Sequence, residues 1–305
     1  MFVAASLTGN IKLNVMSIKR KLVRIESPKS QPGFLGAGHM ARPVITGSYS
    51  DSDPFILLMD DMLDKKNDEP VGGPHPHAGF ETVSYLLEGE IGDDEYKMNA
   101  GDFQIMTAGS GIVHTETIDK IARMRLLQLW VTLPKKDRWA KPRIQHLPLE
   151  HVPAESKNGV SIRLYSGKLN GLQSPVQNYV PMMVADIALE GGVSTTQLIP
   201  ANYNTFLYVL HGSVKVGEDA RELTEAQVGW LNLFASTDDS ELILSAGEGG
   251  VRFVLYGGQP TGENIVSHGP FIGDTNEDIL RLYHDYRQGD LKHISTVPAN
   301  QKIIL

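Results

Sequence analysis

The sequence predicts an all-β chain made of two copies of one β-barrel, with a helix near the C-terminus. The first sign is a series of short apolar segments, "TVSYLL", "RLLQLWVTL", "MMVADIAL", "TFLYVL", "ELILSA" and "VRFVLYG", rich in β-branched and aromatic residues. Most are bounded by Gly, Pro or Asp, and 30 glycines and 17 prolines punctuate the chain. The second sign is a repeat. "SYLLEGEI" (84–91) matches "LYVLHGSV" (207–214) in its aromatic, aliphatic and glycine positions, and "NAGDFQIM" (99–106) is echoed more loosely by "EAQVGWLNL" (225–233) at nearly the same offset. The third is the helix itself. Thr275 with Asp278 makes a capping box, Ile279, Leu282, Tyr283 and Tyr286 share a face, and Gly289 stops the turn.

In chain order, residues 1–17 are expected to be an N-terminal extension, with Met16 an alternative start, and residues 18–140 the first barrel. Residues 141–180 are read as linker and start of the second barrel, and 181–305 as the second barrel with its helix. The charged, proline-rich run 134–153 is the natural join.

Composition narrows the function. The hydrophobic fraction of 41% with 21% charged residues is that of a soluble globular protein, and no apolar run approaches a membrane span. A net charge of −8 argues against direct nucleic-acid binding, and the basic runs Lys19–Lys21 and Lys135–Lys136 read as solvated surface. With no cysteine, thiolate chemistry, Cys-ligated zinc, iron–sulfur clusters and disulfides are excluded. The N-terminus makes a poor signal peptide, and the expected location is cytoplasmic.

The chemistry concentrates in "GGPHPHAGFET" (72–82) and "GSGIVHTET" (109–117). On an extended strand His75 and His77 project to one side, and so do His114 and Glu116. Among ten histidines a lone His-x-His is weak, since a single histidine is more often a hydrogen-bonded loop or core residue. The second pair, after the Gly101-Asp102 turn, turns this into a metal-site hypothesis of three imidazoles and one carboxylate. Shifted by the repeat offset, the ligand positions fall near Leu198, Pro200 and Ser240, so the second barrel is expected to be metal-free. His211, beside the turn glycine, reads as surface.

"GGPHPHAGFETVSYLLEGEIGDD", "NAGDFQIMTAGSGIVHTE" and "SHGPFIGDTNEDI" resemble the characteristic blocks of the pirin family, within the cupin superfamily. The resemblance runs from about Ile18 to Tyr286. It implies two stacked cupin-type barrels, the N-terminal one binding iron through His75, His77, His114 and Glu116. Two departures stand out. Glu81 occupies the place of the carboxylate ligand of general cupins, and is read here as supporting a ligand imidazole rather than coordinating. The stretch "GEIGDDEYKMNAGD" is shorter than in familiar pirins, which trims a loop near the cavity mouth.

Three imidazoles and a carboxylate leave two positions of an octahedron open. Affinity alone favours copper or zinc over Fe(II), and zinc, manganese, copper or nickel are acceptable substitutes. The resemblance implies one Fe(II) per chain. It also implies a 2,3-dioxygenase of a quercetin-like flavonol, with Glu116 as the catalytic residue that takes the substrate's hydroxyl proton. The alternatives are an iron-dependent, redox-sensing binding protein or transcriptional cofactor with a protein partner and no turnover, and a cupin enzyme of another kind, such as an isomerase.

Overall fold

The computed structural model describes residues 17–92 and 97–305. The expected N-terminal extension and alternative start lie outside the described residues, apart from Ser17. So does residues 93–96 of the shortened stretch.

Two large sheets dominate. In the first, the strands run in the order Lys302–Ile304, Arg143–Leu147, Phe103–Thr107, Phe80–Glu88, Ala122–Thr132, Phe55–Lys65, His39–Pro43 and Gln31–Pro32. The second is built on Met182–Leu189, Asp239–Gly258 and Asn204–Val216, with Val160–Ser166 and Val228–Leu231 outside them.

The expected division of the chain needs correction at both ends. Leu22–Glu26, assigned to the first barrel, pairs with Val228–Leu231 of the second. Lys302–Ile304, assigned to the second, runs parallel to Arg143–Leu147, which was read as linker and belongs to the first sheet. Each terminal segment covers an edge of the other half's sheet, where unpaired N–H and C=O groups would otherwise be exposed. Leu22 is buried in the second barrel's core.

Strand alternation decides what each face does. One face of the first sheet, carrying Val83, Tyr85, Phe103, Ile105, Leu127 and Leu129, packs against Val184, Phe206, Tyr208, Val254 and Tyr256 in a shared core. The opposite faces differ. In the second barrel the interior is filled by Ile187, Leu207, Val209, Leu242, Phe253 and other apolar side chains. In the first, polar Ser84 and Gln104 line a cavity with Leu126 and Ile144. Ser84 and Leu207 hold equivalent places in the repeat, and that exchange of a small polar side chain for a large apolar one is part of why the first barrel has room for a site.

The helix Asn276–Gln288 has the predicted capping box, with Thr275 Oγ1 accepting from the Asp278 amide and Gly289 at φ 75°. Its buried face does not close the second barrel. Ile279 and Leu282 cluster with Phe271 and with Ala78 of the first barrel, next to His77. Among the described residues no helix is long and apolar enough to cross a membrane.

Candidate metal centre

His75–His77 and Ile112–His114 form a small antiparallel ribbon separate from the main sheets. Its register sets His114 opposite His75 and Ile112 opposite His77, so all three imidazoles share one face. One ring nitrogen from each lies within 4.8 Å of the others, the closest pair being His75 Nε2 and His114 Nε2 at 2.7 Å. Glu116 follows on the same chain segment. Its carboxylate comes to 4.0 Å from His75 Nε2 and stands outside the mutually close set of three. Gly72 helps seat it: at φ 78°, a Cβ there would stand 2.3 Å from the Glu116 carbonyl oxygen.

The surroundings keep His77 and His114 neutral. Burial, then the neighbouring His75, pushes His77 down to about 3. Burial, then His77 and His75, holds His114 well below the usual range. A neutral imidazole is the form that binds a metal. His75 Nδ1 lies 3.0 Å from the Gly73 carbonyl, which orients the ring and leaves Nε2 facing the other histidines. The His77 ring is buried, and the Pro270 backbone carbonyl is the polar group that acts on it, opposing the downward shift. Burial raises Glu116, with His75 opposing the shift.

The ribbon opens on a cavity of about 160 Å³. His114, Thr115 and Glu116 form one side, Met98, Leu126 and Ile144 an apolar side, and His293 with Ser295 a third.

Residues 38–131 match the sequence profile of pirin, and residues 184–292 that of the pirin C-terminal cupin domain. Over 280 residues the chain is 37% identical to pirin of Homo sapiens, spanning 89% of this chain and 94% of that protein. It is 36% identical to a pirin-like protein of Solanum lycopersicum, over 78% of this chain and 81% of that one. The chain belongs to the pirin family. A solved structure of a quercetin 2,3-dioxygenase from Acinetobacter baumannii superposes with a TM-score of 0.77 at 27% identity, covering 90% of this chain and 98% of that one. The fold is thus the two-barrel arrangement of the pirins.

Against this frame Glu81 has to be reassigned. It pairs in register with Thr107 and Val131 on the face turned toward the second barrel, accepts from Thr107 Oγ1 at 2.6 Å, and lies beside Arg143. It does not support a ligand imidazole. Between His77 and Phe80 the chain passes through Gly79 at φ 86°, so the strand alternation counted from His77 does not carry over to Glu81.

His293 lines the cavity with Nε2 at 3.0 Å from Thr115 Oγ1, yet it escaped sequence reading because nothing in "LKHIS" marks it. Trp130, which packs on His77 with ring centroids 5.2 Å apart, was read only as part of a strand. The positions equivalent to the ligands in the second barrel carry none: Leu198 is exposed, and Ser240 donates to the Ile199 carbonyl. His211 is exposed beside Glu225. Three imidazoles with one ring nitrogen each within 4.8 Å of the others fit a bound metal, with His75, His77 and His114 as the residues that would hold it.

Proposed function

We propose that this pirin-family chain binds one Fe(II) through His75, His77, His114 and Glu116 and acts as a 2,3-dioxygenase of a quercetin-like flavonol. The observation that carries this reading is the cluster of three imidazoles, of which His114, together with Glu116, lines a cavity with an apolar wall. The likeness to a quercetin 2,3-dioxygenase structure at 27% identity supports it.

Glu116 is the group placed to take the flavonol hydroxyl proton. Burial raises its proton affinity, bringing it nearer to that of the hydroxyl it must deprotonate. Met98, Leu126 and Ile144 give the planar ring an apolar surface and keep water from the anion. The cavity is below the ~300–1,000 Å³ of sites that enclose a drug-sized ligand, so the hydroxyl-bearing ring system enters and the pendant ring stays at the mouth. Iron, when bound, supplies Lewis acidity toward the deprotonated hydroxyl and redox reactivity toward O2. The reaction balances without another reductant: flavonol and O2 give a depside, which holds both oxygen atoms, and the excised ring carbon leaves with its own oxygen as carbon monoxide.

An oxygen electrode tests this with iron-loaded protein and quercetin. The proposal predicts one O2 consumed per quercetin and none in His77→Ala. No uptake with iron confirmed in place would return the chain to the reading of an iron-dependent binding protein without turnover.

A further inference from the structure

A two-stranded ribbon is only marginally stable by itself in water, yet this ribbon carries all three histidines. It is held at both strands by residues 271–293, from the far end of the sequence, at Ala78 just past the first strand and at Val113 within the second. On one side Phe271 bridges Ala78, and the Ile272 amide donates to the Ala78 carbonyl at 3.0 Å. The approach is close enough that a Cβ on Gly79 would stand 1.9 Å from the Ile272 carbonyl oxygen. On the other side His293 bridges Val113, and the Val113 amide donates to the Lys292 carbonyl at 2.9 Å. Leu291 fills the space in front of Gly111, where a Cβ would meet its side chain at 2.5 Å. The fully buried Arg138 ties the first contact down by donating to the Gly79 carbonyl at 3.0 Å and to Asp274 at 3.2 Å.

We infer that the segment Phe271–His293 is a positioning element of the metal centre: by bridging the backbone at Ala78 and at Val113 it fixes the spacing of His75, His77 and His114. The metal site of the first barrel is then completed by the other half of the chain, and metal affinity reports how well that segment is docked. Leu291 and His293 are the side chains through which this can be tested. Leu291 carries no ligating or charged atom, so its effect on the metal passes through the ribbon, whereas His293 also faces the cavity and acts electrostatically on His114.

The inference rests on the triad being a metal site and not on the reaction performed there. The test is a cobalt(II) titration of the metal-free full-length chain against a chromophoric chelator. Wild type is compared with Leu291→Asp, Leu291→Ala, His293→Ala and, as a control, Leu280→Asp at a helix residue that is 70% exposed. Changes in residues that orient metal ligands cost 10–100-fold in affinity as an order of magnitude. The expected result is a loss of about tenfold or more in Leu291→Asp and His293→Ala, a smaller loss in Leu291→Ala, and none in the control. Faster amide exchange at Val113 in the same variants would accompany it. If Leu291→Asp does not fold, Leu291→Ala decides the matter through its cobalt(II) affinity together with its amide exchange at Val113. Variants that bind cobalt(II) as wild type does would overturn the inference and leave the metal site standing. A wild-type chain that takes up no cobalt(II) would overturn both.

Discussion

The Tyr85 hydroxyl, on the first sheet, donates to the Asp186 carboxylate of the second at 2.5 Å, and the Tyr208 hydroxyl of the second returns the contact to Asp60 of the first, also at 2.5 Å. Each carboxylate is held in addition by an arginine of its own sheet, Arg252 for Asp186 and Arg125 for Asp60. Tyr85 and Tyr208 are the aromatic positions of the sequence repeat. The duplication therefore encodes a reciprocal lock between the barrels as well as two similar barrels.

Removing either hydroxyl leaves a buried carboxylate one donor short. Hydrogen bonds to charged groups contribute about 1.5–3 kcal/mol, so Tyr85→Phe and Tyr208→Phe are each expected to lose about that much stability in denaturant unfolding. A loss below ~0.5 kcal/mol in both would mean that the arginines suffice.

Glu81 supplies a prediction with a definite sign. Burial raises its carboxyl to about 7 against the opposing effects of Thr107 and Arg143. The folded chain thus favours the neutral form. The stability this gives is full below about pH 4.5 and is lost as pH rises through about 7. Glu81→Gln removes the loss. It should match wild type near pH 5 and exceed it at pH 8, by at most about 3 kcal/mol at ~1.4 kcal/mol per pH unit. Parallel stability curves from pH 5 to pH 8 would contradict this, and so would weakened metal binding in the variant.

Metal content should be near one per chain. His75→Ala and His114→Ala are expected to empty the site while leaving the barrels folded, because each removes one proposed ligand from a ribbon whose backbone pairing is intact. Glu116→Gln should weaken binding by about tenfold or more, as expected for losing a charged donor. Elemental analysis of protein purified without added metal checks all three. Two metals per chain, or full occupancy in the histidine variants, would refute the assignment.

What could be read from sequence was what is local. The two candidate pairs are i, i+2 spacings and the capping box joins residues three apart, so spacing alone placed the three histidines on one face and the helix at 276–288. The reading failed where a bend or a distant contact decides. Glu81 was placed near the ligands by its resemblance to the carboxylate position of general cupins, and the bend at Gly79 turns it instead toward the second barrel. The edge strands Leu22–Glu26 and Lys302–Ile304 are too short to show a period, and nothing in their composition says which sheet receives them. His293 enters the cavity wall only because the chain's end folds back over the first barrel.

The most direct test of the account uses iron-loaded protein, quercetin and isotopically labelled O2. The substrate is first bound without oxygen, O2 is admitted, and the product and head gas are examined by mass spectrometry. The account predicts a depside carrying two labelled oxygen atoms, unlabelled carbon monoxide in equal amount, and neither from Glu116→Gln or His77→Ala protein. Quercetin that binds but is recovered unchanged, with iron confirmed in place and O2 present, would contradict it.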